Sequence, residues 1–241
     1  MSLAAKLMLS PLLVAQAVAT RRRAPLLAEA AGPRRGSVGD GSVVRLLIVG
    51  DSSGAGVGVA TQDEALAGHL TCTLAAAAGR RIDWALHAKS GITTAGALAL
   101  VQAEKPAPAD VAVAVLGVND VVDQVPSHRA VQHRAALADW LLAHTAVRHV
   151  VFAPLPPMHR FPLLPQPLRW IAGSDARRHD DALARWAATR RDVSHVPIEI
   201  DLGAHNMAHD GFHPGEPVYR TCGEALARHI AAHLPHWESA P

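Results

Sequence analysis

From residue 50 the chain reads Gly-Asp-Ser-Ser-Gly-Ala-Gly-Val-Gly, directly after a short apolar run at 43–49. Glycines at a strand end permit a tight turn into a helix, so Ser52 is expected at a sheet edge with backbone N–H groups beside it. That geometry suits a nucleophile, and it suits an anion cradle equally well. Gly54, Gly56 and Gly58 do not make G-x-G-x-x-G, and no Lys-Ser/Thr pair completes a P-loop. Three further stretches carry chemistry-bearing types in order: Ser90-Gly91 after a second apolar run, Gly117-Val118-Asn119-Asp120 after a third, and Asp210-Gly211-Phe212-His213-Pro214 near the end. Taken singly, Gly91 reads as a turn residue, Asn119-Asp120 as a helix cap, and Asp210 with His213 as a cap pair. A metal role for Asp210 and His213 lacks a supporting cluster of Asp, Glu or His at ligand spacing, so neither a metal nor a cofactor is expected.

Together and in order, the four stretches resemble the blocks of the SGNH/GDSL hydrolase family, over about residues 44–234. Gly50-Asp51-Ser52 matches the nucleophile block, Gly91 the glycine block, Gly117-x-Asn119-Asp120 the asparagine block, and Asp210-x-x-His213-Pro214 the acid and base block. Position 53 is Ser rather than the Leu of the name motif, a difference of packing rather than chemistry. The resemblance implies a catalytic triad of Ser52, Asp210 and His213. It also implies an oxyanion hole made by the backbone N–H groups of Ser52 and Gly91 and the side-chain amide of Asn119. These types fit acyl transfer. A serine hydroxyl is a weak nucleophile until a base takes its proton, an imidazole can serve once a carboxylate orients it, and a tetrahedral intermediate needs donors aimed at its oxygen.

The expected reaction is hydrolysis of short to medium acyl or aryl esters through an acyl-enzyme on Ser52. An acyltransferase or carbohydrate deacetylase on the same site remains open, as does a non-catalytic nucleotide- or phosphate-binding module of the same shape.

These residues need a scaffold that presents strand ends side by side. Apolar runs at 43–49, 82–88, 111–116, 149–154 and 197–200 alternate with helical spacing at 64–78, 94–104, 127–144, 176–190 and 216–233. Strand and helix in alternation predict a parallel sheet between helical layers. The family resemblance implies the same form: a three-layer α/β/α sandwich with five parallel strands, flavodoxin-like in arrangement. Residues 155–173 carry five prolines with Phe161 and Trp170, and lack clear periodicity. The segment is expected either to wall a substrate pocket with those two aromatics or to lie as a loop pinned on the core.

Residues 1–41 are expected to form an apolar helix and a basic connector, leaving 42–241 as the α/β domain. Residues 7–19 have the length of a signal-peptide core, and Ala17-Val18-Ala19 is cleavage-like, so export is one reading. Pro11 and Gln16 interrupt the run, and Arg21-Arg22-Arg23 follow it, which favours a retained helix that touches the domain or a membrane surface, in a cytoplasmic or membrane-associated protein.

The formal net charge of +2, with arginines spread along the chain, gives no footprint for nucleic acid. The partner expected is a small ester; the oligomeric state is not legible. Cys72 and Cys222 lie far apart without metal spacing and read as two small buried side chains, and most of the fifteen histidines read as solvated.

Overall fold

The computed structural model describes residues 3–239. Within them, α1 (Leu3–Arg23) precedes an alternation of β and α elements: β1 (Arg35–Val38), β2 (Val43–Gly50), α2 (Leu66–Ala78), β3 (Arg81–Ala88), α3 (Thr94–Glu104) and β4 (Val111–Val115). There follow α4 (Val118–Val122), α5 (Ser127–His144), β5 (His149–Phe152), a 3₁₀ turn (Met158–Arg160), α6 (Leu168–Ala187), β6 (Val193–His195) and α7 (Glu216–Ser239). The sheet order is β1-β3-β2-β4-β5-β6, with every pairing parallel except β1 against β3.

The strand sequences dictate the layers. On β2, Val44, Leu46 and Ile48 enter one core with Leu66, Leu70 and Leu74 of α2 and Leu226 and Ile230 of α7. Leu47 and Val49 point the other way, into a second core with Val101 of α3, Leu137 and Leu141 of α5 and Leu183 of α6. A period of two with both faces apolar is what a central parallel strand requires, because helices cover the sheet on each side. The expected α/β/α sandwich is therefore present.

The sheet has six strands rather than five. The extra one, β1, lies in the stretch expected to be a connector, where Arg35 to Ser37 are exposed. An edge strand has one hydrogen-bonded neighbour and little buried surface, so it needs no apolar pattern. The last parallel strand is at Val193–His195, not at 197–200. Val150 pairs with Val193, whereas Pro197 lacks the N–H that a ladder uses. Helix α6 starts eight residues before the expected position, taking residues 168–173 out of the supposed loop.

Two further expectations change. Cys72 is exposed on α2, while burial pushes the Cys222 thiol up to about 12. His149 and His179 are buried rather than solvated.

Candidate active site

Without β1, the order β3-β2-β4-β5-β6 reverses direction between β2 and β4, the place where open α/β sheets bind ligands beyond the strand ends. Ser52 follows β2 and Asn119 follows β4. The two strands are in register there, Gly50 opposite Val115, and Asp51 N–H donates to the Val115 carbonyl at 3.1 Å. The nucleophile loop then passes against the last loop of the domain. A Cβ on Gly58, whose φ is +109°, would lie 2.3 Å from the Pro214 carbonyl oxygen, so only glycine permits that approach.

That approach brings residues 161 positions apart into contact. His213 Nε2 lies 3.1 Å from Ser52 Oγ, and His213 Nδ1 lies 2.6 Å from Asp210 Oδ2. Asp210 Oδ1 also accepts the backbone N–H groups of Phe212 and His213, each at 2.9 Å. Burial pushes the Asp210 carboxyl up, but the imidazole and these two N–H donors outweigh it and hold the group below its ordinary range. An ionised Asp210 fixes the proton on Nδ1 and leaves Nε2 with a lone pair facing the serine hydroxyl. His209, next to the motif, is exposed.

The proposed oxyanion donors are held by a second set of bonds. Gly91 has φ +81°, in the left-handed region. Among the described residues, neither the Ser52 nor the Gly91 N–H donates to a protein acceptor. The Asn119 amide donates to the Ile92 carbonyl at 2.9 Å and lies 3.5 Å from Asp51 Oδ2, so it bridges the glycine loop and the nucleophile loop. Asp120, fully buried, accepts from Thr94 Oγ1 at 2.5 Å and Thr94 N–H at 3.3 Å, pinning the first turn of α3 to the same loop.

Several members of this support were not legible in the sequence. Glu29 Oε1 accepts from Ser90 N at 2.7 Å and Ser90 Oγ at 2.8 Å, and its other oxygen pairs with Arg34, which also donates to the Ala88 carbonyl at 2.6 Å. The segment expected to be a connector thus clamps the loop carrying Gly91. Arg134 of α5 is buried beneath Gly117, where an added Cβ would meet its Nη2 at 2.5 Å, and Asp120 and Asp180 are the charges that act on it. Contacts 61 residues apart leave no local signature; Arg134 reads in sequence as one of many helix-surface arginines.

A cavity of about 70 Å³ adjoins the triad, lined by Ser52 and His213 with Leu66, Phe161, Met207 and Cys222 among its walls. Of the two aromatics expected there, the structure brings in Phe161 and leaves out Trp170. Because α6 begins at Leu168, Trp170 falls in its first turn and is 51 % exposed. Among the described residues no three His, Cys, Asp or Glu side chains group to hold a metal ion.

Comparison with known proteins matches residues 48–221 to the GDSL-like lipase/acylhydrolase family model. The GDSL-like esterase Rv1075c of Mycobacterium tuberculosis (strain ATCC 25618 / H37Rv) is 29 % identical over 194 residues, covering 76 % of this chain and 60 % of that protein. The chain thus spans less than two thirds of that relative's length. Among solved structures, the lipase Lip_vut3 from a goat rumen metagenome superposes with a TM-score of 0.60 at 16 % identity, covering 78 % of this chain and 97 % of that one. The psychrotrophic esterase EstA from Pseudoalteromonas sp., in a structure inhibited by monoethylphosphonate, gives 0.54 at 20 % identity, covering 81 % and 99 %. These likenesses show the shared fold, and the family match, over well more than half the sequence, shows that the chain belongs to the GDSL-like lipase/acylhydrolase family.

Proposed function

We propose that the protein is a serine esterase that hydrolyses carboxylic esters of short to medium acyl or aryl groups through an acyl-enzyme on Ser52. The observation that carries this reading is the continuous chain from Ser52 Oγ through the His213 ring to Asp210, at 3.1 and 2.6 Å. Nε2 takes the hydroxyl proton as Oγ attacks the acyl carbon, and Asp210 stabilises the imidazolium that forms. The same proton then passes to the leaving alcohol, which departs as the tetrahedral intermediate collapses to the acyl-enzyme. Water then attacks the acyl carbon with His213 again as base, the bond to Oγ breaks as His213 returns the proton to it, and the carboxylic acid leaves with Ser52 restored. The N–H groups of Ser52 and Gly91 and the Asn119 amide are the donors for the oxyanion.

The lining of the cavity, with Leu66, Phe161, Met207 and Cys222 beside Ser52 and His213, supports an ester whose acyl group is apolar. A fluorophosphonate probe followed by peptide mapping tests the proposal. An adduct on Ser52, absent in Ser52→Ala together with turnover of p-nitrophenyl acetate, is the expected result. Full turnover by a folded Ser52→Ala protein would remove the serine mechanism.

A further inference from the structure

Helix α1 touches the protein along one side and exposes apolar side chains elsewhere. Its half-buried positions, Leu9, Leu13, Gln16 and Thr20, recur at helical spacing and face the protein. Gln16 anchors the contact: its amide donates to the Gln166 carbonyl at 2.6 Å and its carbonyl accepts from Leu168 N–H at 3.2 Å. The opposite side is not the polar face that a surface helix normally turns to water. It presents Val14 at 63 % and Val18 at 45 % exposure, Leu12 flanks the contact at 47 %, and Trp170, two residues past Leu168 on α6, exposes an indole at 51 %. The helix ends in Arg21, Arg22 and Arg23, all exposed.

We propose that the outer face of α1, with Trp170 and the triple arginine, docks the protein on an anionic lipid surface. The exposed Leu12, Val14 and Val18 are more favourably placed in an apolar medium than in water, and the bilayer interface supplies one. Tryptophan favours the headgroup level of such an interface, and arginines at the helix end meet anionic headgroups. Each arginine near an anionic membrane strengthens partition about fivefold. A second copy of the chain is the poorer occupant, since four half-exposed side chains fall far short of the roughly 800 Å² per partner of a stable interface. Among the described residues no helix is long and apolar enough to cross a membrane, so the contact is interfacial.

Docking there also bears on catalysis. Residues 155–173 join the α1 anchor to the catalytic loops, with Phe161 in the cavity wall and Leu163 N–H donating to the Gly211 carbonyl at 3.0 Å, two residues from His213. The segment that holds the α1 anchor thus also walls the cavity.

The test is flotation of the purified full chain with vesicles of phosphatidylcholine alone or with 30 % phosphatidylglycerol added. The wild type should float with the anionic vesicles, and more weakly at high salt. A combined Leu12→Glu, Val14→Glu, Val18→Glu variant should bind at least tenfold less. Arg21→Gln, Arg22→Gln, Arg23→Gln, which alters only exposed positions, should bind anionic vesicles about a hundredfold less and lose the preference for them. Turnover of a soluble short ester should be unchanged in both variants, since none of the six side chains lines the cavity; that control separates loss of docking from loss of the fold or of the hydrolase reading. Equal flotation of wild type and the glutamate variant, or no flotation of the wild type, would overturn the proposal. So would a wild-type dimer in sedimentation that the glutamate variant dissociates, because the face would then belong to a second copy.

Discussion

Asp51, beside the nucleophile, is only 2 % exposed, and its carboxyl is pushed up to about 7, first by burial and further by the charge of Asp120, against the opposing pull of the Ser53 N–H and His213. In the unfolded chain the same group titrates at 3.8. The folded state therefore keeps a proton between pH 4 and 7 that the unfolded state has released, and stability must fall as pH rises through that window. About three pH units at roughly 1.4 kcal/mol each give a loss of about 4 kcal/mol by pH 8. Asp51→Asn keeps the shape and keeps an oxygen for the Ser53 N–H, which Asp51 Oδ1 accepts at 2.9 Å, but carries no charge at any pH. Urea unfolding of both proteins from pH 4 to 8.5 should show equal midpoints at the acid end. The variant should become the more stable by several kcal/mol at pH 8, with unchanged m-values. A difference independent of pH, or a variant less stable at pH 8, would refute the reasoning. A buried charge retained at this cost implies a return in activity: ionised Asp51 favours the imidazolium of His213 in the transition state, so the variant should lose more turnover at pH 8 than at pH 6.

Three other outcomes are expected. Asn119→Ala should lower kcat by about 10²–10³ with little change in KM, since its hydrogen bond is strongest to charge that exists only after attack; a destabilised but fully active variant would make Asn119 a structural residue. Arg134→Met should cost about 3 kcal/mol in denaturant unfolding by removing the cation that acts on fully buried Asp120, and adding Asp120→Asn should recover part of that loss, whereas a neutral Arg134→Met would show that the cation is dispensable. Phe161→Ala should widen acyl preference toward hexanoate and octanoate while Trp170→Ala leaves the profile unchanged; equal effects of the two would detach the cavity from acyl recognition.

The parts of the molecule legible in its sequence are those whose physics is local. Helices α3 and α5 fall at 94–104 and 127–144 as expected, α3 because Thr93 caps it by accepting from Gly96 N–H and its neighbours are strong helix formers. The Gly-Asp-Ser, asparagine and Asp-x-x-His stretches are each contiguous, and the first two directly follow β2 and β4, so their order along the chain was enough to carry the family resemblance. What escaped depends on the far side of a contact. The exposed four-residue β1 forms because β3 offers it an edge, and Glu29 matters because folding delivers Ser90 to it across 61 residues. Arg134 is a core residue only because Gly117 leaves it room, and Trp170 turns outward only because α6 begins earlier than its periodicity suggests. The catalytic types are thus encoded locally, while the bonds that hold them to within a few tenths of an ångström are encoded in the fold. Replacement of a distant residue such as Glu29 or Arg134 can therefore loosen the catalytic geometry although neither touches the reacting atoms.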